Sequence, residues 1–391
     1  MLQNFALWLA LRLITSLWAA LVSQFRPLNP IELAFPLWPP QFSTNWLERV
    51  LLAPWLRWDA HWYLRIVTSG YQSGDGTLQF HPLYPWLAAM LHRIGIHPVL
   101  ALLIISTAAS LALLVAYEQL ARLDLSLEES RLSTLLFTFF PISFILFAPY
   151  SESLFILCSV LCFWAVRKRT WLLAGLAGLL ASFTRQQGLF LIIPVVWEIW
   201  EYSSHNLKQI MSNWRYWWAT VLTVGGYLLW VVYRRFYFFE TPSIHSGAND
   251  WIFSLLISPN ASQVVPQQAF LMPWQALGLA IRQFAVKPDL DMSFNFLISG
   301  AFLILFAISF NKMRMSYRLY SLVIILVSFS YYTGTVHPYM GLPRHLYLAF
   351  PVFIGFASFL RQPAARLAYT GIGVVSMLIL LTGYSLEAWV P

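Results

Sequence analysis

The chain has 391 residues, of which 59% are hydrophobic and only 10% charged, whereas soluble domains are about a quarter charged. So much apolar surface excludes a string of soluble domains. Residues 1–391 read as one polytopic membrane unit whose main solvent is lipid. The formal net charge of +8 would suggest nucleic acid in a soluble protein. In a membrane protein basic residues anchor helix ends and mark the cytoplasmic side, so the bilayer is the expected partner and nucleic acid is not.

Apolar runs of about twenty residues predict eleven transmembrane helices, an all-α bundle. The first covers about 5–25 and contains Arg12. It lacks a small-residue cleavage site and reads as a retained helix rather than a removed signal. A long loop over 26–95 follows, rich in Pro and Trp, in which 45–56, 58–68 and 83–94 read as short interfacial helices. Further helices are expected near 97–120, 132–148, 152–166, 171–184, 189–202 and 216–233. A second long loop covers 234–294, with ordered interfacial structure expected. The last four helices are expected near 295–311, 317–335, 344–360 and 367–387. Cys158 and Cys162 lie four apart on one helix and read as packing residues; a zinc site would need more ligands.

With a cytoplasmic N-terminus, the turns at 122–131, 167–169, 205–215, 312–318 and 361–366 face the cytoplasm, and each carries at least two Lys or Arg. The opposite turns at 149–152 and 337–343 carry none and the one at 184–188 carries only Arg185, in line with the positive-inside rule. Both long loops then lie outside. That topology sends to the outer face Arg57, Asp59, His61, Arg65, His81, Tyr84, Glu152, Arg185, Gln186, His245, Asp250, His337, Arg344 and His345. Residues of the types that do chemistry gather at one face from distant segments, and ionisable groups beside the bilayer point to function.

Asp59 stands at the start of an interfacial helix. It reads either as a carboxylate favoured by the helix dipole or as a general base. Arg185 and Arg344, at outer helix ends, are candidate ligands for a lipid phosphate because a guanidinium forks onto phosphate oxygens; snorkelling to the interface is the plainer reading. Glu152 either helps cap a helix together with Ser151 or Ser153, or binds substrate. His61 and His81 either orient a proton transfer or are satisfied interfacial histidines. Arg57, Tyr84, Gln186 and His345 complete the candidate substrate-binding set. No tight metal site is expected, since no His-x-x-x-His pair occurs, although Asp59 and Glu152 leave room for a loosely held hard cation. No nucleophile elbow, phosphate loop or dinucleotide fingerprint is found.

Five segments occur in order: Trp58-Asp59-Ala60 with Tyr63 and Gly70-Tyr71; Phe80-His81-Pro82-Leu83-Tyr84-Pro85; Tyr150-Ser151-Glu152-Ser153-Leu154-Phe155; Thr184-Arg185-Gln186-Gln187-Gly188; and Leu342-Pro343-Arg344-His345 with Phe350-Pro351. Together they resemble the motifs of the PIG-V-like GPI mannosyltransferases, within the GT-C class of membrane glycosyltransferases. Two segments depart from that pattern. Phe140-Pro141 stands where many members have Asn-Pro, and Thr241-Pro242 through Trp251 only loosely echoes the donor-site pattern.

The resemblance implies an inverting transfer of a sugar, mannose by expectation, from a polyprenyl-phosphate donor to a lipid-linked or membrane-proximal acceptor. Asp59 would be the base, and no cofactor would be needed beyond the donor. The site would face outside a bacterial plasma membrane or into the lumen of the endoplasmic reticulum. The rival class is a transporter or flippase of a lipid-linked sugar, which would carry charges at bilayer depth and broken midplane helices.

Overall fold

The computed structural model describes residues 2–25, 46–238 and 269–386. In chain order its helices are α1 (Leu2–Ser23), α2 (Trp46–Leu51), α3 (Asp59–Ser69), α4 (Leu83–Arg93), α5 (Pro98–Ala121), α6 (Leu127–Thr138), α7 (Glu152–Arg167), α8 (Trp171–Thr184), α9 (Ile192–Tyr202), α10 (Leu207–Ser212), α11 (Trp214–Tyr237), α12 (Pro273–Val286), α13 (Leu290–Ser309), α14 (Met315–Ser330), α15 (Leu342–Tyr347), α16 (Pro351–Phe356) and α17 (Pro363–Ser385). Two short strands, β1 (Ala269–Phe270) and β2 (Tyr331–Tyr332), pair antiparallel.

Among the described residues four helices are long and apolar enough to cross a membrane: Gln3–Ser23, Pro98–Ala121, Leu290–Lys312 and Pro363–Ser385. Their outer faces keep large aliphatic side chains exposed, such as Leu13, Leu17 and Leu21 on α1 and Ile372, Val375 and Ile379 on α17. Spacings of three or four put such residues on one helix face, which lipid covers. The chain is an all-α integral membrane protein.

Helix stands at each of the eleven expected positions, but two of those positions hold broken helices. The run 132–148 was expected to be one span. Instead α6 starts earlier, because Ser126 and Glu129 form a capping box, and it stops at Thr138, ahead of Pro141. Beyond it the backbone is irregular apart from a 3-10 turn over Ser143–Leu146, and it is almost wholly buried. Likewise 344–360 divides into α15 and α16 on either side of Leu348–Phe350, because Pro351 cannot continue a helix. The helix expected over 317–335 ends at Ser330, where Tyr331 and Tyr332 join the ladder. Non-helical backbone at membrane depth is tolerated only when protein surrounds it. Here aromatic packing does so: Phe137 stacks on Tyr347 at 4.7 Å, and the Tyr347 hydroxyl donates to Phe137 O at 2.8 Å.

The interfacial helices expected in the first long loop are present as α2, α3 and α4. In the second loop α12 is helical, while the segment 241–251, with His245 and Asp250, lies outside the described residues. Arg12, the charge inside α1, donates to Phe147 O at 2.9 Å and lies over the rings of Trp55 and Phe147. Helices α8 and α11 approach closely through glycines. A Cβ on Gly178 would fall on Thr223, and one on Gly226 on Leu179 O, a close approach that only small residues allow.

Of the basic turns expected on one side, those at 167–169 and 361–366 are both joined to 122–131, and that at 312–318 meets the end of α9. Arg167 forms a two-pronged pair with Asp124 at 2.8 and 2.9 Å. Arg314 pairs with Glu201 at 2.9 Å, and Arg366 with Glu128 at 3.1 Å. The cysteines are buried and unbridged, as packing residues are.

Candidate active site

The backbone before Asp59 is strained. Trp58 has φ 50° and ψ −117°, a region that costs a bulky L-residue about 1–3 kcal/mol. The strain makes Asp59 the first residue of α3 rather than the last of the preceding turn. Around it the chain is tied down. Arg57 donates to Ala53 O and Leu56 O at 2.8 Å and to Ser385 O at 3.1 and 3.0 Å, and the Tyr150 hydroxyl donates to Arg57 O at 3.2 Å. Arg57 thus holds the turn to the end of α17.

Asp59 opens a chain of four alternating charges. Arg344 Nη1 donates to Asp59 Oδ2 at 2.5 Å, and Arg344 Nε lies 3.3 Å from Glu152 Oε1. Arg185 Nη1 donates to the same Glu152 oxygen at 2.6 Å. The four side chains come from α3, α15, α7 and the turn after α8, and their formal charges cancel. Exposure falls inward: Asp59 is 28% exposed, Arg185 10%, Arg344 8% and Glu152 0%. The second Glu152 oxygen, Oε2, is buried and has no hydrogen-bond partner among the described residues. Arg344 stands between the two carboxylates and pairs with both. Among the described residues no group of three His, Cys, Asp or Glu side chains could hold a metal ion.

Each motif has a local reason. Tyr150 offers its ring to the Arg344 guanidinium at 5.0 Å, a cation–π contact. Ser151 was a possible cap for α7 but makes no capping bond. Its hydroxyl instead accepts from Tyr63 OH at 2.8 Å and from Arg185 at 3.1 Å. Glu152, first in α7, puts its carboxylate at the positive end of the helix dipole. In Arg185-Gln186-Gln187-Gly188 the glycine is required by close approach: a Cβ there would overlap Ser182 N and Cα and Ala181 C. Gly188→Ala therefore should push the turn off α8 and displace Arg185, destabilising the protein by about 1–3 kcal/mol through overpacking. Thermal unfolding in detergent reads this out, and an unchanged midpoint would reject it. Gly341, with φ 74°, starts α15 and presents Arg344.

The structure separates the remaining candidates. Gln187, not Gln186, joins the cluster: its Oε1 accepts from Arg185 Nε and its Nε2 lies against His345 Nδ1, both at 3.4 Å. His345 also lies beside the Tyr331 ring. His61 is half-buried on α3, two residues after Asp59. His81 is a core histidine. Its Nδ1 lies 2.6 Å from Ser182 O between Tyr227 and Trp230, and burial, then the charge of Arg234, hold its pKa down at about 3. Tyr84 is fully buried and bonds Leu102 O at 3.1 Å and Ser106 Oγ at 2.8 Å, one layer behind Tyr63. His337 pairs with Asp291 at 3.2 Å, a bond that raises its pKa and holds the loop leading to α15. Tyr63, Tyr150 and Gln187 were not singled out from the sequence, although each lies inside a quoted motif, and Ser151 was considered there only as a cap.

Fold and site define an all-α integral membrane protein with an enclosed carboxylate–guanidinium cluster built from four distant segments. The chain belongs to the mannosyltransferase (PIG-V) family, whose sequence pattern matches residues 3–258, more than half of it and four of the five motifs. That family is one of glycosyltransferases.

Among solved structures the chain is similar to the oligosaccharyltransferase of Archaeoglobus fulgidus tethered with an acceptor peptide containing the NVT sequon. Identity is 12% and the TM-score 0.46, over 97% of this chain and 56% of that one. It is also similar to the oligosaccharyltransferase AglB of that organism in complex with an inhibitory peptide and a dolichol-phosphate, at 11% identity and TM-score 0.40, over 97% and 56% of the two chains. The chain thus spans little more than half the length of these oligosaccharyltransferases. A search of curated proteins returns no match.

Proposed function

We propose that the protein transfers a sugar, mannose by family, from a polyprenyl-phosphate donor to a hydroxyl of a lipid-linked or membrane-proximal acceptor, with inversion at the anomeric carbon. The observation that carries this reading is the cluster itself. A carboxylate at the edge of an enclosed site stands next to two guanidiniums, which is what the reaction asks for. Asp59 takes the proton of the acceptor hydroxyl as its oxygen bonds to the anomeric carbon. The bond from that carbon to the phosphate oxygen breaks, and the electron pair leaves with polyprenyl phosphate. Arg344 and Arg185 meet the charge that grows on the phosphate, where preorganised donors are most effective. Gln187, Gln186, His345 and His61 stand around or beside that path and suit the sugar or the acceptor. The reaction lies on the outer or luminal face, at the plasma membrane of a bacterium or the endoplasmic reticulum of a eukaryote.

The test is transfer in reconstituted liposomes from polyprenyl-phosphate mannose to a panel of lipid acceptors, with GDP-mannose as the control donor. New glycolipid from the lipid donor alone is the expected result. Donor crossing the bilayer with no new glycosidic bond would replace this reading with a flippase. Arg344→Ala should raise the KM for donor by at least about tenfold, the loss of one charge-assisted contact to phosphate, with a smaller change for acceptor. An unchanged donor KM would remove Arg344 from the phosphate site.

A further inference from the structure

We infer that the donor phosphate takes the place of Asp59 on Arg344, so that the base is released only when donor is bound; this rests on the proposed donor and on Asp59 as the proposed base. In the structure both guanidiniums already have carboxylate partners. Two carboxylates face two arginines, and their formal charges cancel. A phosphate monoester brought to Arg344 and Arg185 would add negative charge beside Asp59 and Glu152, and like charges at such distances repel strongly away from water. One carboxylate must give way.

Geometry selects which. Glu152 is fully buried, accepts from Arg185 at 2.6 Å and pairs with Arg344 at 3.3 Å through the same oxygen, and sits at the N-terminus of α7. Withdrawing it would strand two buried cations. Asp59 is 28% exposed and, among the described residues, forms its ion pair with Arg344 alone. It is also the first residue of its helix, directly after the strained Trp58. Glu152 is thus the fixed anchor that positions both arginines, and Asp59 the exchangeable member.

In the resting protein Asp59 Oδ2 accepts from the guanidinium and is engaged. Once phosphate occupies Arg344, that oxygen is free for the proton of the acceptor hydroxyl. Donor therefore binds first, and the carboxylate becomes available next to the donor's anomeric carbon.

Because the exchange is a competition, it can be read without acceptor or turnover. The probe is farnesyl phosphate, a short polyprenyl monophosphate, titrated into purified protein. Asp59→Asn removes the competing charge and is expected to bind the probe about tenfold more tightly than wild type, the order of one charge-assisted contact. Asp59→Glu keeps the charge and should bind as wild type does, and Asp59→Ser serves as a second neutral variant if the Asn protein does not purify folded. Equal or weaker binding by a folded neutral variant would overturn the exchange, since a carboxylate that merely holds Arg344 in place predicts weaker binding on its removal. Absence of binding by folded wild type would overturn the donor assignment itself, and the exchange with it.

Discussion

Asp59→Asn is expected to lower sugar transfer by about 10²–10⁴-fold, the usual contribution of a positioned general base, while the protein still folds. Both halves follow from the cluster. Asp59 is the most exposed of its four charges and the one an acceptor hydroxyl can approach. The amide keeps the shape and can still accept from Arg344, but it cannot take the proton. Folding survives because Arg344 retains Glu152 and the Tyr150 ring, so the guanidinium is not stranded. Transfer assays beside thermal unfolding of the same preparations check it. Near-full activity with an unchanged melting curve would remove Asp59 as the base and leave it a helix N-terminal carboxylate.

Glu152→Ala should fail in the opposite way, through stability. Its carboxylate is fully buried and serves Arg185 and Arg344 together. Removing one partner of a buried ion pair leaves uncompensated charge and costs about 3–5 kcal/mol. Here two guanidiniums lose a partner at once. Asp59 still faces Arg344, whereas Arg185 keeps only Ser151 and Gln187. A marked fall in the unfolding midpoint, or failure to accumulate folded protein, is the expected result. Glu152→Gln keeps the volume and should lose less. A variant as stable as wild type would mean that water already screens the site.

Much of the site was legible because chemistry and motif coincide in the chain. Topology sent Asp59, Arg185, Arg344 and Glu152 to one face together with ten other polar residues, and the quoted motifs carry all four. What topology could not give was pairing. Glu152 read equally as a cap or a substrate ligand, and Ser151 as a capping hydroxyl. Only the approach of α8 and α15 to α7 turns Glu152 into the shared anchor of two arginines. Gln186 and Gln187 are adjacent and chemically identical, so the choice between them depends on the 3-10 turn that Gly188 permits against Ser182. His81, Tyr84 and Arg57 lie in or beside the same series of motifs as the residues of the charge cluster. The structure gives each of them a packing role, a division that a motif does not record.

The sequence by itself determined the lipid solvent, the places of the helices, the gathering of basic turns at one side and the family, because hydropathy and charge act residue by residue along the chain. Tertiary structure decided that two runs broken at prolines stay inside as buried non-helical backbone, since only surrounding protein makes such backbone tolerable at membrane depth. It also decided which side chains meet. The Asp59–Arg344 pair joins residues 285 positions apart, and no local rule spans that distance.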